Sequence, residues 1–125
     1  MIEVARGDVV LVAFPFITRG EVERKRRPAV IVQADRYNKR RAAVIIAAIT
    51  SARAHRDLPC KVLVTQDSPA GRGARLRLDS VVDCQTLATI PREAIVRRLG
   101  AFPAETVQRI DLALQDALEL THSRP

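Results

Sequence analysis

Two apolar stretches of this 125-residue chain carry polar side chains at one end only. Residues 27–32 begin with Arg27, and residues 44–51 end with Thr50 and Ser51. A guanidinium group grips a phosphate through two parallel donors, and a hydroxyl donates to charge that develops on the same group. If the stretches pair as antiparallel strands, the start of one lies beside the end of the other. The spacing therefore predicts Arg27 and Thr50 at one rim of a sheet, where we expect the function.

Other catalytic groups are poorly placed. Ser-His-Asp catalysis needs a base beside the nucleophile, but the only histidines, His55 and His122, fall in a predicted loop and in the C-terminal tail. A metal-dependent nuclease needs clustered carboxylates, and Asp79 and Asp83 have no obvious third partner. Arginine with hydroxyls is the favoured chemistry, and we expect no metal and no cofactor; metal-dependent cleavage stays open as the weaker alternative.

The charge balance favours a polyanionic partner. The chain has 21 basic and 14 acidic residues and a net charge of +7. Clustered Lys and Arg gain affinity by releasing counterions from phosphates. Most of the basic residues are Arg, so a genome rich in G and C is the competing explanation. Aromatic residues make up only 3%, which leaves no row on which several bases could stack and weakens a cold-shock or RNA-recognition-motif interpretation.

Length and cysteine usage predict one cytoplasmic domain over residues 1–125. A chain of this size and 47% hydrophobic content supports a single core. Cys60 and Cys84 have no second pair and no histidine at metal spacing, so we expect buried, reduced thiols. The N-terminus lacks the regions of a signal peptide, and no stretch approaches the roughly 18 apolar residues of a membrane span.

Hydrophobic patterning predicts a mainly β fold (α+β) with one C-terminal helix. Short apolar or alternating runs rich in β-branched residues are typical of strands. They occupy residues 9–14, 28–33, 43–50, 60–65, 78–87 and 95–100. Together with one terminal helix, these strands favour a strongly curved, small antiparallel sheet or barrel.

The connections differ in character. Residues 16–26 predict a polar loop or splayed hairpin, residues 34–41 a basic turn with one irregular helical coil, and residues 66–77 a loop. A brief helical turn is expected at 92–94. Residues 104–120 predict a helix, because apolar side chains recur on one face at spacings of three and four. These are Val107, Ile110, Leu114, Ala117 and Leu118.

Four short motifs, in order and spacing, resemble the MazF/PemK family of toxin endoribonucleases. They are Arg6-Gly7-Asp8-Val9-Val10, Arg27-Pro28-Ala29-Val30-Ile31-Val32, Ala48-Ile49-Thr50-Ser51, and Asp79-Ser80-Val81-Val82 with Gln85. The likeness covers nearly the whole chain, including the closing helix. One such tetrapeptide is weakly specific, whereas four in register are strongly so.

The resemblance implies a compact SH3-like barrel that forms a homodimer and cuts single-stranded RNA at short sequences without a metal. It implies a cognate antitoxin, expected to be acidic and partly disordered. By position, Arg27 and Thr50 match the family's catalytic pair, and Ser51 is adjacent. In such enzymes the RNA's own 2′-hydroxyl attacks phosphorus, leaving a 2′,3′-cyclic phosphate and a 5′-hydroxyl.

RNA-binding residues are assigned more weakly. The loop that corresponds to residues 16–26 flanks the RNA groove in the family, and its charge makes Arg19, Arg24, Lys25 and Arg26 candidate phosphate contacts. Gln85 is a candidate for contacting a base edge, although the order Asp83-Cys84-Gln85 departs from the expected Asp-Gln pairing.

Two alternatives remain at this point. A gyrase-poisoning toxin of the CcdB kind shares the fold and would depend on surface groups at the end of the C-terminal helix. Arg27-Pro28 and Thr50-Ser51 argue against it. A non-catalytic nucleic-acid-binding module would keep the barrel and lose the activity, which intact Arg27 and Thr50 disfavour.

Overall fold

The computed structural model describes residues 2–13, 16–18, 21–23, 25–40, 42–54 and 57–120. Its secondary structure consists of eight strands and three helices. In chain order they are β1 (Asp8–Ala13), β2 (Phe16–Thr18), β3 (Glu21–Glu23), β4 (Arg26–Ile31), α1 (Asp35–Asn38), β5 (Ala43–Ser51), β6 (Lys61–Val64), α2 (Pro69–Gly73), β7 (Ser80–Pro91), β8 (Ile95–Ala101) and α3 (Ala104–Leu118). Two 3-10 turns, Ala52–Ala54 and Arg92–Ala94, complete the described elements.

Six strands form one antiparallel sheet, in the order β6-β7-β5-β4-β1-β8. β2 and β3 form a separate two-stranded hairpin, so the hairpin alternative for residues 16–26 is correct. The large sheet begins at β6 and ends at β8, which do not pair among the described residues, so its hydrogen bonding is not closed into a barrel. The predicted antiparallel fold with a C-terminal helix is confirmed.

Both faces of the central strands are buried, which explains their continuous apolar sequences. Alternate residues point to opposite faces of a strand. In β1, Val9 belongs to one hydrophobic cluster and Val10 to the other; in β4, Val30 and Ile31 divide in the same way. The two clusters fix the register, because a slip of one residue would exchange every side chain between faces.

The α3 helix covers one of these clusters. Ile110 and Ala113 are buried in it with side chains of β6 and β7, and Val107 packs at its edge. The predicted face is correct except at Leu118, which is 51% exposed. The helix ends at that residue, since Glu119 adopts a left-handed conformation with φ of 57°, and the side chain of this last helical residue is not covered.

The prediction of a loop over residues 66–77 is wrong, because this segment contains α2. Ser68 caps the helix by accepting a hydrogen bond from the amide of Gly71 at 3.0 Å, and Pro69 occupies the first turn. Glycine is a poor helix former, and it hid the helix from the sequence pattern. At Gly71 a β-carbon would lie 2.1 Å from the Thr65 carbonyl oxygen, so close packing requires the glycine.

Cys60 and Cys84 are buried free thiols, as predicted. The Cys84 amide donates to the Cys60 carbonyl at 3.0 Å, between neighbouring strands. Burial raises the pKa of the Cys84 thiol to about 11, and the Asp83 charge and Cys60 act in the same direction. Such a thiol stays neutral and behaves as a small apolar side chain. Separately, none of the helices described is both long and apolar enough to cross a membrane.

Candidate active site

A cleft of about 590 Å³ opens where β4 begins and β5 ends. Strands β1 and β8 and the segment between α2 and β7 supply its other walls. Fourteen residues line it: Leu11, Arg26, Arg27, Pro28, Ile49, Thr50, Ser51, Arg75, Leu76, Arg77, Leu78, Ser80, Arg97 and Leu99. The volume lies in the range of small-molecule and cofactor sites.

The structure brings Arg27, Thr50 and Ser51 to this one cleft. The β4–β5 ladder pairs Ala29 with Ala48, and the same register continued by two residues sets Arg27 opposite Thr50. Arg27 is half-buried at the strand entrance, whereas Thr50 and Ser51 are exposed at the strand exit. A partly buried guanidinium beside an exposed hydroxyl can hold a phosphate from two sides.

The hydroxyl groups of Thr50 and Ser51 are both able to donate a hydrogen bond. Ser51 Oγ accepts a hydrogen bond from the Arg53 amide at 3.2 Å, which leaves its own proton free to donate. The Thr50 hydroxyl has no hydrogen-bond partner among the described residues. Ser80, which pairs with Ser51 across β5 and β7, is buried and donates to the Leu78 carbonyl at 2.8 Å, so it serves the wall of the cleft.

Apolar side chains form the floor of the cleft. They are Leu11, Pro28, Ile49, Leu76, Leu78 and Leu99. Leu78 is 51% exposed, which is unusual for a large apolar side chain beside charged neighbours. The cleft therefore combines an apolar surface with positive charge. No aromatic residue lines it in the part of the chain that the structure describes.

Among the described residues, five arginines and no acidic residue line the cleft: Arg26, Arg27, Arg75, Arg77 and Arg97. Two arginines elsewhere have carboxylate partners. Arg6 contacts Asp111 at 2.7 Å, and Arg98, next to Arg97 but on the other face of β8, contacts Asp8 at 3.2 Å. Arg75, Arg77 and Arg97 have no such partner among the described residues, so their charge would attract an anionic ligand to the cleft.

Sequence reasoning missed Arg75, Arg77 and Arg97. The first two follow α2, which was not predicted, and Arg97 faces the cleft because β8 pairs Leu11 with Arg97 across the sheet edge. The alternating run Arg75-Leu76-Arg77-Leu78 was the available signal. Its meaning depends on the chain returning to the β4–β5 rim, which only the fold reveals.

The remaining predicted RNA contacts are placed unevenly. Arg26 lines the cleft, and Lys25 is exposed just before it. Arg19 and Arg24 lie outside the described residues. Gln85 is not among the cleft residues: it is exposed in a bulge of β7, where residues 84–86 have no partner in β5.

The two carboxylates considered for a metal have local roles. Asp79 Oδ1 accepts from the Gln66 amide at 2.9 Å. Asp83 holds the β7 bulge by accepting from the Gln85 amide and the Thr86 hydroxyl, both at 3.0 Å. Among the described residues, no three His, Cys, Asp or Glu side chains gather as a metal site would require.

An antiparallel sheet, a covering helix and a cleft whose described lining has five arginines and no acids define a protein suited to an anionic ligand. A sequence model of PemK-like, MazF-like toxins of type II toxin–antitoxin systems matches residues 5–118. Endoribonuclease MazF6 of Mycobacterium tuberculosis is 34% identical over 102 residues, covering 81% of this chain and 85% of the relative. The chain belongs to the PemK/MazF family of type II toxins, as the motifs predicted.

Solved structures show the same fold. A mycobacterial endoribonuclease in complex with its cognate antitoxin superposes with a TM-score of 0.73 at 23% identity, covering 95% of this chain and 98% of the other. MazF from Deinococcus radiodurans gives a TM-score of 0.70 at 19% identity, covering 95% and 99%. The fold predicted from the resemblance is confirmed, and the family prediction agrees with relatives that are named endoribonucleases.

Proposed function

We propose that this chain is the toxin of a type II toxin–antitoxin system and a metal-independent endoribonuclease that cuts single-stranded RNA at short sequences. The observation that carries the proposal is the cleft at the β4–β5 rim, which Arg27, Thr50 and Ser51 line together with four further arginines and, among the described residues, no acids. Family membership and the names of the curated relatives support the same activity.

The reaction needs no protein nucleophile. The RNA 2′-oxygen bonds to the neighbouring phosphorus while the bond from phosphorus to the 5′-oxygen breaks. The 2′-hydroxyl proton passes to water, and the departing 5′-oxygen takes a proton from water. The products are a 2′,3′-cyclic phosphate and a 5′-hydroxyl, and DNA resists cleavage because it lacks the 2′-hydroxyl.

Arg27 acts as a charge stabiliser in this mechanism. A guanidinium remains protonated near neutral pH, so it does not serve as a general base. Its parallel donors match the oxygens of a phosphorane, whose charge exceeds that of the ground state. Thr50 donates a further hydrogen bond to the same group, and Ser51 assists from the adjacent position.

Contacts outside the reacting phosphate extend the RNA site. Arg26 and Lys25, together with Arg19 and Arg24, bind backbone phosphates along the strand. Gln85 is retained only as a base contact made outside the cleft, since it is exposed on the β7 bulge.

The biological setting follows from the family. The chain works as one toxin domain in the cytoplasm, as a homodimer, and is held inactive by an acidic, partly disordered antitoxin. A segment that folds over the cleft would neutralise its arginines and block RNA in the same event.

The test is incubation of the purified protein with a defined single-stranded RNA in the presence of a chelator. The expected result is cleavage at a short recurring sequence, with 5′-hydroxyl and 2′,3′-cyclic phosphate ends, and no cleavage of the matching DNA. A parallel incubation with gyrase and plasmid examines the CcdB-like alternative. Intact RNA with poisoned gyrase would overturn the proposal, and intact RNA with unaffected gyrase would favour a non-catalytic module.

A further inference from the structure

We propose that Arg75, Arg77 and Arg97 form a second phosphate site in the cleft, which holds an RNA backbone phosphate next to the one that is cleaved. This inference rests on the proposed function, because it names how the same cleft positions its substrate. All three side chains line the cleft, on walls other than the one that carries Arg27 and Thr50.

The three guanidinium groups are available to an external anion. All three residues are exposed, and the structure gives their side chains no hydrogen bond or ion pair with any residue it describes. The neighbouring Arg98, by contrast, is paired with Asp8. Arginines without carboxylate partners, set beside an apolar floor, offer planar donors to phosphate oxygens.

The backbone at Arg75 indicates that its side chain matters. α2 ends in a Schellman motif, in which the Leu76 amide donates to the Gly71 carbonyl at 2.9 Å and the Arg75 amide to the Arg72 carbonyl at 3.1 Å. Arg75 occupies the left-handed position of that motif, with φ of 55°, where glycine is the usual residue. An arginine held there at a conformational cost points to a role for the guanidinium.

The segment that carries Arg75 and Arg77 is firmly seated. Gly100 of β8 approaches α2 so closely that a β-carbon on it would lie 1.9 Å from the Gly73 carbonyl oxygen. Gly71 is pressed in the same way against the Thr65 carbonyl. These contacts fix the start of the segment relative to β8, which itself carries Arg97, so the backbones that carry the three arginines are held on one support.

The sheet register separates this site from the reacting one. Leu11 of β1 pairs with Pro28 on one side and with Arg97 on the other. Arg97 is therefore two strands away from β4, about 10 Å at ordinary strand spacing. This separation lets Arg75, Arg77 and Arg97 hold a phosphate other than the one between Arg27 and Thr50.

Arg75→Gly separates binding from folding, because glycine suits the left-handed position better than arginine. We expect the variant to be at least as stable as wild type. Arg77→Ala is combined with it to remove the second contact. Arg72→Ala is the control for the loss of one arginine charge outside the cleft, because Arg72 is exposed on α2 and does not line the cleft.

The first readout is the salt dependence of binding to a short random-sequence 2′-O-methyl RNA, which cannot be cleaved. Each lost phosphate contact lowers the slope of log K against log salt by about 0.7 for a single strand. We expect the Arg75→Gly/Arg77→Ala slope to fall by about 0.7, because both side chains contact the same phosphate, and the Arg72→Ala slope to match wild type. An unchanged slope in the double variant, or an equal fall in the control, overturns the inference.

The second readout uses a cleavable RNA with a neutral methylphosphonate at a single linkage. We expect each arginine variant to raise KM about 10-fold with a smaller change in kcat, the size of one charge-assisted contact. That loss should vanish when the neutral linkage stands next to the cleaved one. If the arginine substitution and the neutral linkage raise KM independently at every linkage position, so that their effects multiply, a defined second phosphate site is contradicted.

The two readouts keep the proposals apart. Failure of wild-type protein to cleave any RNA overturns the proposed function, while the binding slope still decides the second phosphate site. Normal cleavage with an unaltered slope overturns the second phosphate site alone.

Discussion

The two ends of the β4–β5 ladder use arginine in opposite ways. At the end where β5 begins, Arg92 is 6% exposed, and its guanidinium donates to the Asn38 carbonyl and, at 3.3 Å, to the Ile2 carbonyl. At the cleft end, Arg75, Arg77 and Arg97 are exposed and unpaired among the described residues. Burial and available acceptors, rather than residue type, separate an arginine that holds the fold from one that can bind a ligand.

The end of the ladder where β5 begins, called the closed end below, contains a polar network whose hydrogen bonds are satisfied. Gln33 Nε2 donates to Asn38 Oδ1 at 3.0 Å, and Asn38 Nδ2 donates back to the Gln33 carbonyl at 2.9 Å. α1, only four residues long, is too short to be stable on its own, so this network must hold it. Buried polar groups that are fully paired specify one arrangement, whereas the open cleft end keeps its donors for a partner.

The largest effect is expected from Arg27→Ala at the cleft end. Removing a preorganised donor aimed at developing charge costs about 100- to 1,000-fold in rate. The variant should fold normally and lose most RNA cleavage, measured as single-turnover rates on a defined RNA. Arg27→Lys keeps the charge but loses the parallel donors, so its cleavage rate should lie between those of wild type and Arg27→Ala. Cleavage at the wild-type rate by a folded Arg27→Ala protein would remove Arg27 from the mechanism.

At the closed end the expected loss is in stability. Arg92→Ala leaves the buried Asn38 carbonyl and the partly buried Ile2 carbonyl without their donor and opens a cavity, so we expect the free energy of unfolding to fall by about 2–4 kcal/mol. Urea denaturation measures this. Arg97→Ala is the matched control and should change stability by no more than about 0.5 kcal/mol. Equal losses in both variants would erase the distinction between the two ends.

A smaller loss of stability is expected at Gly100, where β8 packs tightly against α2 near the cleft. Gly100→Ala places a β-carbon 1.9 Å from the Gly73 carbonyl oxygen, so α2 must shift, at a cost of about 1–3 kcal/mol. Gly73→Ala is the control, because its β-carbon would lie 3.2 Å from the nearest atom, the Ala101 carbonyl oxygen, and alanine favours the helix. Urea melts of both variants measure the difference. A Gly100→Ala protein as stable as Gly73→Ala would show that α2 is not firmly seated.

Some parts of the cleft could be predicted from the sequence and others could not. The strand pair carrying Arg27 and Thr50 was predictable, because apolar runs set the strands and antiparallel pairing sets which ends meet. α2 was not, since its glycines serve packing against distant backbone at Thr65 and Gly100 rather than local propensity. Arg75 and Arg77 were missed with it, and Arg97 depends on the edge pairing of β8. The local sequence pattern predicts individual helices and strands. The residues that complete the site depend on contacts between separate helices and strands, which the pattern does not show.

The Gln85 hypothesis shows the limit of position along a strand. Gln85 was expected at the end of a strand, but β7 continues to Pro91. The bulge that carries Gln85 arises where β7 skips residues 84–86 against β5, between the pairs Ala48–Asp83 and Ala47–Leu87. A bulge of this kind re-aims side chains, and nothing in the apolar pattern of residues 78–87 indicates it.

The smallest effect is expected at Asp35, on the exposed side of the closed end. The Arg6 amide, which donates to Oδ1 at 2.7 Å, lowers the pKa of Asp35 below its ordinary value of 3.8, and the Asn38 side chain adds to this. A carboxyl whose pKa is depressed by folding contributes stability above its unfolded pKa and loses it as pH falls through the folded value.

Asp35→Asn should therefore lower stability slightly at pH 7, with the gap to wild type closing as the pH falls below the ordinary value of 3.8. The effect is small because the carboxylate is exposed and water screens it. Urea melts of both proteins at pH 7 and pH 3 measure the gap. Arg92→Ala serves as the comparison, since a guanidinium does not titrate in this range and its deficit should persist at both pH values. A gap at Asp35 that stays constant or widens at low pH would show that its charge does not stabilise the closed end.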